Sequence, residues 1–182
     1  MVYSSSFHNL YTMAHKLFLL AGILSLLIAQ ASHAQSKISL SKGDDVVLVG
    51  SGMGSRMIHY GHFETEIFLR HTTHDLTIRN LCDEGNTPGF RPHPSREQEE
   101  QYAFPGAKDL IHEDLKAQSK PKGHFPSPSQ WLSDLHAEVV LCFFGFNSSF
   151  DGPGQVGRFK KELDAYLKHL NSMPFGVSTP QV

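Results

Sequence analysis

The residues of this chain best suited to chemistry lie at the ends of short apolar runs. Val46-Val47-Leu48-Val49-Gly50-Ser51-Gly52-Met53-Gly54-Ser55 is one such run, and Val139-Val140-Leu141-Cys142-Phe143-Phe144-Gly145-Phe146-Asn147-Ser148-Ser149-Phe150 is another. Each breaks at glycine into a small polar loop. Runs rich in β-branched residues mark buried parallel strands, and ligands of open α/β sheets bind outside the carboxyl ends of such strands. The first loop, around Ser51 and Gly52, offers small side chains and backbone N–H groups at a helix start; the second offers the amide of Asn147. Both loops should face one crevice. His59-x-x-His62 and His71-x-x-His74 have a spacing that can hold a metal on a helix face. No third ligand of fixed geometry accompanies them, so solvated helix histidines are the simpler reading, and neither a metal nor a cofactor is expected.

These loops need strands and helices to position them. Apolar runs predict strands at about 45–49, 76–81 and 138–144. An apolar stripe of Met57, Tyr60, Phe63, Ile67 and Phe68 predicts a helix over 55–70, with Gly61 weakening it and Ser55 capping its start. Cys82-Asp83-Glu84-Gly85-Asn86 is the loop behind the second strand. Residues 83–126 then form a long insertion without periodicity, punctuated by Pro88, Pro92, Pro94, Pro105, Pro121 and Pro126, with one short helix over 108–118. Loops of that length in compact domains are usually functional or disordered. Ser127-Pro128-Ser129-Gln130 carries the signature of a helix N-terminus. The last helix has the clearest period, with Val156, Phe159, Leu163, Tyr166, Leu167 and Leu170 on one stripe. This order predicts an α/β fold of three layers, α/β/α, around a flavodoxin-like parallel sheet in the order 2-1-3. Only three strands are supplied, and the last helix ends where a further crossover strand should begin. The domain therefore reads as C-terminally incomplete, with the apolar edge of the 138–144 strand uncovered and prone to association.

Residues 17–28 are an unbroken apolar stretch behind Lys16 and ahead of Ser32-His33-Ala34. A short apolar core with a basic flank and small residues at −3 and −1 describes a secretory signal peptide over 1–34, with Met13 as an alternative start. An uncleaved anchor is the competing reading, although the run is short of the roughly 20 residues a span needs. The mature chain, 35–182, is expected to be exported, to the periplasm or the extracellular space. Its net charge of −2, with no basic cluster, leaves no electrostatic footprint for nucleic acid. Cys142 lies on one strand flanking the first and Cys82 directly follows the strand on its other side, so strand spacing sets them roughly 9.6 Å apart. A disulfide needs Cα atoms within about 7 Å, so none is expected.

On these residues the chain resembles the SGNH/GDSL hydrolase family. Val49-Gly50-Ser51-Gly52-Met53 is similar to its strand-Gly-Asp-Ser turn, Asn80-Leu81-Cys82-Asp83-Glu84-Gly85 to its Asn-Leu-x-x-x-Gly block, and Gly145-Phe146-Asn147 to its Gly-x-Asn block. Arg79-Asn80-Leu81, Ser127 to Leu132 and the residues from Phe143 to Gly152 resemble the branch found in large exported bacterial proteins that carry a haem-c module, so other domains of a longer exported polypeptide are implied as partners. The likeness spans about 43–171. It implies hydrolysis of acyl or acetyl esters, carbohydrate esters included. A serine of the first block attacks the ester, and a histidine from a late Asp-x-x-His block activates it. The serine N–H, the second-block glycine N–H and the third-block asparagine amide stabilise the oxyanion. Carried over, Gly85 and Asn147 match.

The nucleophile does not. Ser51 stands at the aspartate position and Gly52 at the nucleophile position, and only a one-residue slip would make Ser51 the attacking group. Asp109-Leu110-Ile111-His112 spells Asp-x-x-His but precedes the third block, and His169 lacks an aspartate three residues before it. A serine hydroxyl without a base is a poor nucleophile at neutral pH. The expectation is thus an ester-hydrolase domain impaired or inactive in this chain, for a small ester or glycan-ester substrate. The alternative is a non-catalytic module that binds an acyl or glycan ligand. More remote is a nucleotide-binding α/β domain: Gly50-Ser51-Gly52-Met53-Gly54-Ser55 nearly spells G-x-G-x-x-G, but Ser55 replaces the last glycine, and Arg79-Asn80-Leu81 stands where an acidic residue belongs.

Overall fold

A computed structural model describes residues 37–93, 101–118 and 123–182, of which Ile38–Val182 form one compact unit. The segment read as a signal peptide lies outside the described residues. The unit is mixed α/β, built on an open parallel sheet of three strands in the order β2-β1-β3. The strands are β1 (Asp45–Gly50), β2 (Thr77–Asn80) and β3 (Val139–Phe143). Val46 lies opposite Ile78 on one side of β1 and opposite Val139 on the other. Side chains alternate across a strand, so β1 feeds two cores at once. Val46 and Leu48 pack with Ile78, Cys82 and Val139, against Met57, Phe63 and Ile67. Val47 and Val49 pack with Leu132, Tyr166, Leu170 and Phe175. The side chains of Val46, Val47, Leu48 and Val49 are essentially inaccessible, and burial of each contributes about 1.5–3 kcal/mol.

The first helix is not continuous. It divides into α1 (Gly52–Arg56), a 3-10 turn (Met57–His59) and α2 (His62–Arg70), because Gly61 takes a left-handed conformation at φ 61° and becomes the cap of α2. Ser55 does not cap this helix; its Oγ donates to the Gly52 carbonyl from inside α1. The single helix expected over 108–118 is likewise a 3-10 turn (Ala107–Asp109) followed by α3 (Glu113–Ala117), interrupted where His112 is extended and its ring accepts from the Asp114 N–H. Helix α4 (Pro128–Asp134) starts as the sequence predicts, with the Ser127 side chain accepting from the Gln130 N–H and proline at the first helical position. A short α5 (Phe146–Ser149) follows β3, and α6 (Val156–Leu170) lays Tyr166 and Leu170 into the core.

The described parts of the insertion are packed against the sheet domain. Phe90, Ala103, Phe104, Ala107 and Ile111 are buried, and Phe90 forms an antiparallel bridge with Tyr102. The two cysteines are free, and burial pushes both thiols up to about 12. No helix among the described residues is long and apolar enough to cross a membrane.

Candidate functional site: the carboxyl ends of the strands

Three loops meet where the strands end. At Gly50, φ is 146° and an added Cβ would sit 2.4 Å from the Phe143 carbonyl oxygen, so only glycine lets β1 and β3 approach this closely. The Gly50 carbonyl accepts from the Asp83 N–H at 3.0 Å and from Asn86 Nδ2 at 3.0 Å. Asn147 Nδ2 then donates to the Asn86 carbonyl at 3.0 Å. The loops behind β1, β2 and β3 are therefore joined by one chain of hydrogen bonds. Among the described residues, no donor reaches the buried Asn86 Oδ1.

Beside this junction lies a cavity of about 340 Å³ whose walls include Gly85, Thr87, Pro92, His112, Asn147 and Ser148. Gly85 adopts φ 92°, and a Cβ there would press on Pro92 at 3.1 Å. Gly85 and Asn147 thus reach the cavity. Ser51 and Gly52 do not line it. Ser51 is fully buried, with its N–H donating to the Phe143 carbonyl at 2.9 Å and its Oγ donating to the same oxygen at 3.3 Å. Gly52 faces the ring of Phe146, which a Cβ would touch at 3.5 Å. Ser51, Gly52, Gly85 and Asn147 are neighbours, but only the last two are presented to the open space.

The insertion adds groups to the same cavity. His112 brings its ring to the wall, and its acidic neighbour is Asp114, whose N–H donates to Nδ1 at 3.3 Å and whose Oδ2 lies 3.5 Å away. An Nδ1 that accepts leaves the proton of the neutral ring on Nε2, a donor for a ligand oxygen. The far wall is anchored through Glu162 of α6, whose carboxylate is fully buried. It accepts from Thr87 Oγ1 at 2.6 Å and from the Gly89 N–H at 2.8 Å, and Arg158 lies at 3.3 Å. Burial pushes this carboxyl up, against the lowering effect of those donors. Arg158 also pairs with Asp151, a further residue of the wall. Phe150 stands exposed at the rim, edge to face with Phe146.

Other titratable side chains lie off the cavity. His93 pairs with Asp83 and packs on Phe125. His169 meets Ser129 Oγ at 2.9 Å between Phe104 and Phe175, and burial lowers its pKa. His71 and His74 contact each other edge to face, and among the described residues no group of three His, Cys, Asp or Glu side chains is placed to hold a metal. Thr87 and Glu162 carry no short-range sequence signal, because they meet across 75 residues, whereas Arg158 and Glu162 stand at the i,i+4 spacing of a helix pair. His112 does have one in Asp109-x-x-His112, although the aspartate in contact is Asp114.

Compared with known proteins, the chain matches no family model, no curated protein and no solved structure.

Proposed function

We propose that this chain is an SGNH-type α/β domain, of the three-layer flavodoxin-like kind, that binds a small acyl ester or glycan ester at the ends of its strands without turning it over. The observation that carries this reading is the contrast between Ser51 and its neighbours. Its hydroxyl is buried and spent on the Phe143 carbonyl, while Gly85 and Asn147 remain on the cavity wall. Gly52 brings no side chain that could attack. Donors without a nucleophile make a binding site. At about 340 Å³ the cavity is at the small end of ligand pockets, suited to a single sugar unit or a short acyl group. Phe150 supplies an apolar face, and Asn147, Ser148 and His112 supply polar contacts. As part of this reading, the chain acts outside the cytoplasm, with further domains of an exported polypeptide beside it.

A second reading keeps catalysis, and one observation favours it: His112, from Asp109-x-x-His112, lines the same cavity as Gly85 and Asn147. As a base for water it would take the other tautomer, with the proton on Nδ1 facing Asp114 Oδ2 at 3.5 Å and Nε2 free to accept. Calorimetric titration with an O-acetylated methyl glycoside, beside the unacetylated sugar, separates the two. Saturable binding of the ester, weakened about tenfold by Asn147→Ala or His112→Ala and without acetate release, is expected, a loss equal to about one hydrogen bond. Acetate release that disappears in His112→Ala would establish the second reading. No binding of either sugar would contradict both.

A further inference from the structure

Next to Pro92, which lines the crevice cavity, the chain buries a charge that its described residues do not neutralise. Arg91 is only 8% exposed, and among the described residues no partner reaches its Nη1. The carboxylate whose charge it feels, Asp83, is paired with His93 instead. What meets the guanidinium is the face of Trp131, with the guanidinium carbon 5.1 Å from the ring centroid. A cation over a ring offsets only part of the cost of burying an unpaired charge. The position is nevertheless held firmly. Gln101 accepts from the Arg91 N–H at 2.9 Å, and its Nε2 gathers the carbonyls of Arg91, Pro92 and His93 at 3.3, 3.2 and 3.0 Å. Trp131 continues into an aromatic shelf. Its ring lies 5.9 Å from that of Phe125, which lies 5.1 Å from that of His93, and Phe125 and His93 reach solvent.

We propose that Arg91, Trp131 and Phe125 form a second binding site, for a small carboxylate carried on a ring. The planar guanidinium presents paired N–H donors that match a carboxylate, and the ligand supplies the counter-charge that the described residues lack. The indole and phenyl faces take the apolar side of the ring. Because Gln101 already fixes the backbone on both sides of Pro92, little ordering is left for the ligand to impose. Uronic acids and aromatic acids share this chemistry. Neither Arg91 nor Trp131 lines the crevice cavity, so the inference is independent of what the crevice binds.

Trp131 is the only tryptophan of the chain, so its fluorescence reports on this site directly. The full chain is titrated at constant ionic strength with methyl galacturonoside and with benzoate, each beside its neutral amide. A saturable change in Trp131 emission is expected with at least one acid, and the acid that responds tells the sugar source from the aromatic one. Its amide should bind about tenfold or more weakly, and so should the acid itself to Arg91→Met. Without ligand, Arg91→Met should keep or raise the Tm, because an unpaired buried charge gives way to an apolar side chain. No response to either acid, or an equal response to acid and amide, would overturn the proposal. So would a fall in the Tm of ligand-free Arg91→Met, which would show that the guanidinium already has its partner within the chain.

Discussion

Ser51 sends both its N–H and its Oγ–H to the Phe143 carbonyl, so its hydroxyl stitches the first turn to the end of β3. Ser51→Ala removes that second bond and leaves the carbonyl still satisfied by the N–H. Urea unfolding should show a loss of about 0.5–1.5 kcal/mol, with ligand binding in the crevice unchanged. A catalytic serine would give the reverse: stability nearly kept, turnover gone. One position on, a Cβ at Gly52 meets only the Phe146 ring, at an ordinary contact distance of 3.5 Å. Gly52→Ser is therefore expected to fold within about 1 kcal/mol of the parent, measured in the same unfolding experiment. A much larger loss would mean that the turn is tighter than its contacts indicate. Gly54 is different: a Cβ there would lie 2.3 Å from Cys82 Sγ, so its glycine is required by packing.

At the scale of elements, α6 both covers the sheet and holds the insertion, through Glu162. Because burial raises this carboxyl above its ordinary 4.5, the folded chain keeps a proton that the unfolded chain has released. The resulting contribution is fully present below the unfolded value and is lost as pH rises from about 4.5 through the raised folded value. Arg158 and Asp151 are the charges that face it, one lowering and one raising its pKa. Stability measured against pH should fall across that window in the parent, and Glu162→Gln should flatten this part of the curve. An unchanged slope would show that another group carries the proton. The strands and α6 were readable in the sequence because their signals are local: β-branched runs for β1 and β3, a 3.6-residue stripe for α6. The insertion was not, because its order comes from contacts such as Thr87 to Glu162 and Phe90 to Tyr102, which no periodicity records. Gly61 shows the same limit on a smaller scale. Its residue type permits a break, but only packing decides that the helix turns there.

Across the described residues, the parallel order β2-β1-β3 brings three loops, distant in sequence, to one end of the sheet, where insertion residues such as His112 and Leu115 wall the cavity beside them. Gly85 and Asn147 were legible as residues of that end because each follows a predicted strand. The separation of Ser51 and Gly52 from the cavity was not, since it depends on Ser51 turning inward to Phe143. Binding and turnover are read out together in a single titration. An isotope-labelled chain is mixed with an O-acetylated methyl glycoside, and amide shifts and the acetyl signal are followed in the same tube by NMR. Saturable shifts at Gly85, His112, Asn147 and Ser148 are expected, with the ester acetyl signal intact. Release of free acetate above the rate in buffer, or shifts that leave those four residues untouched, would contradict binding without turnover at this site.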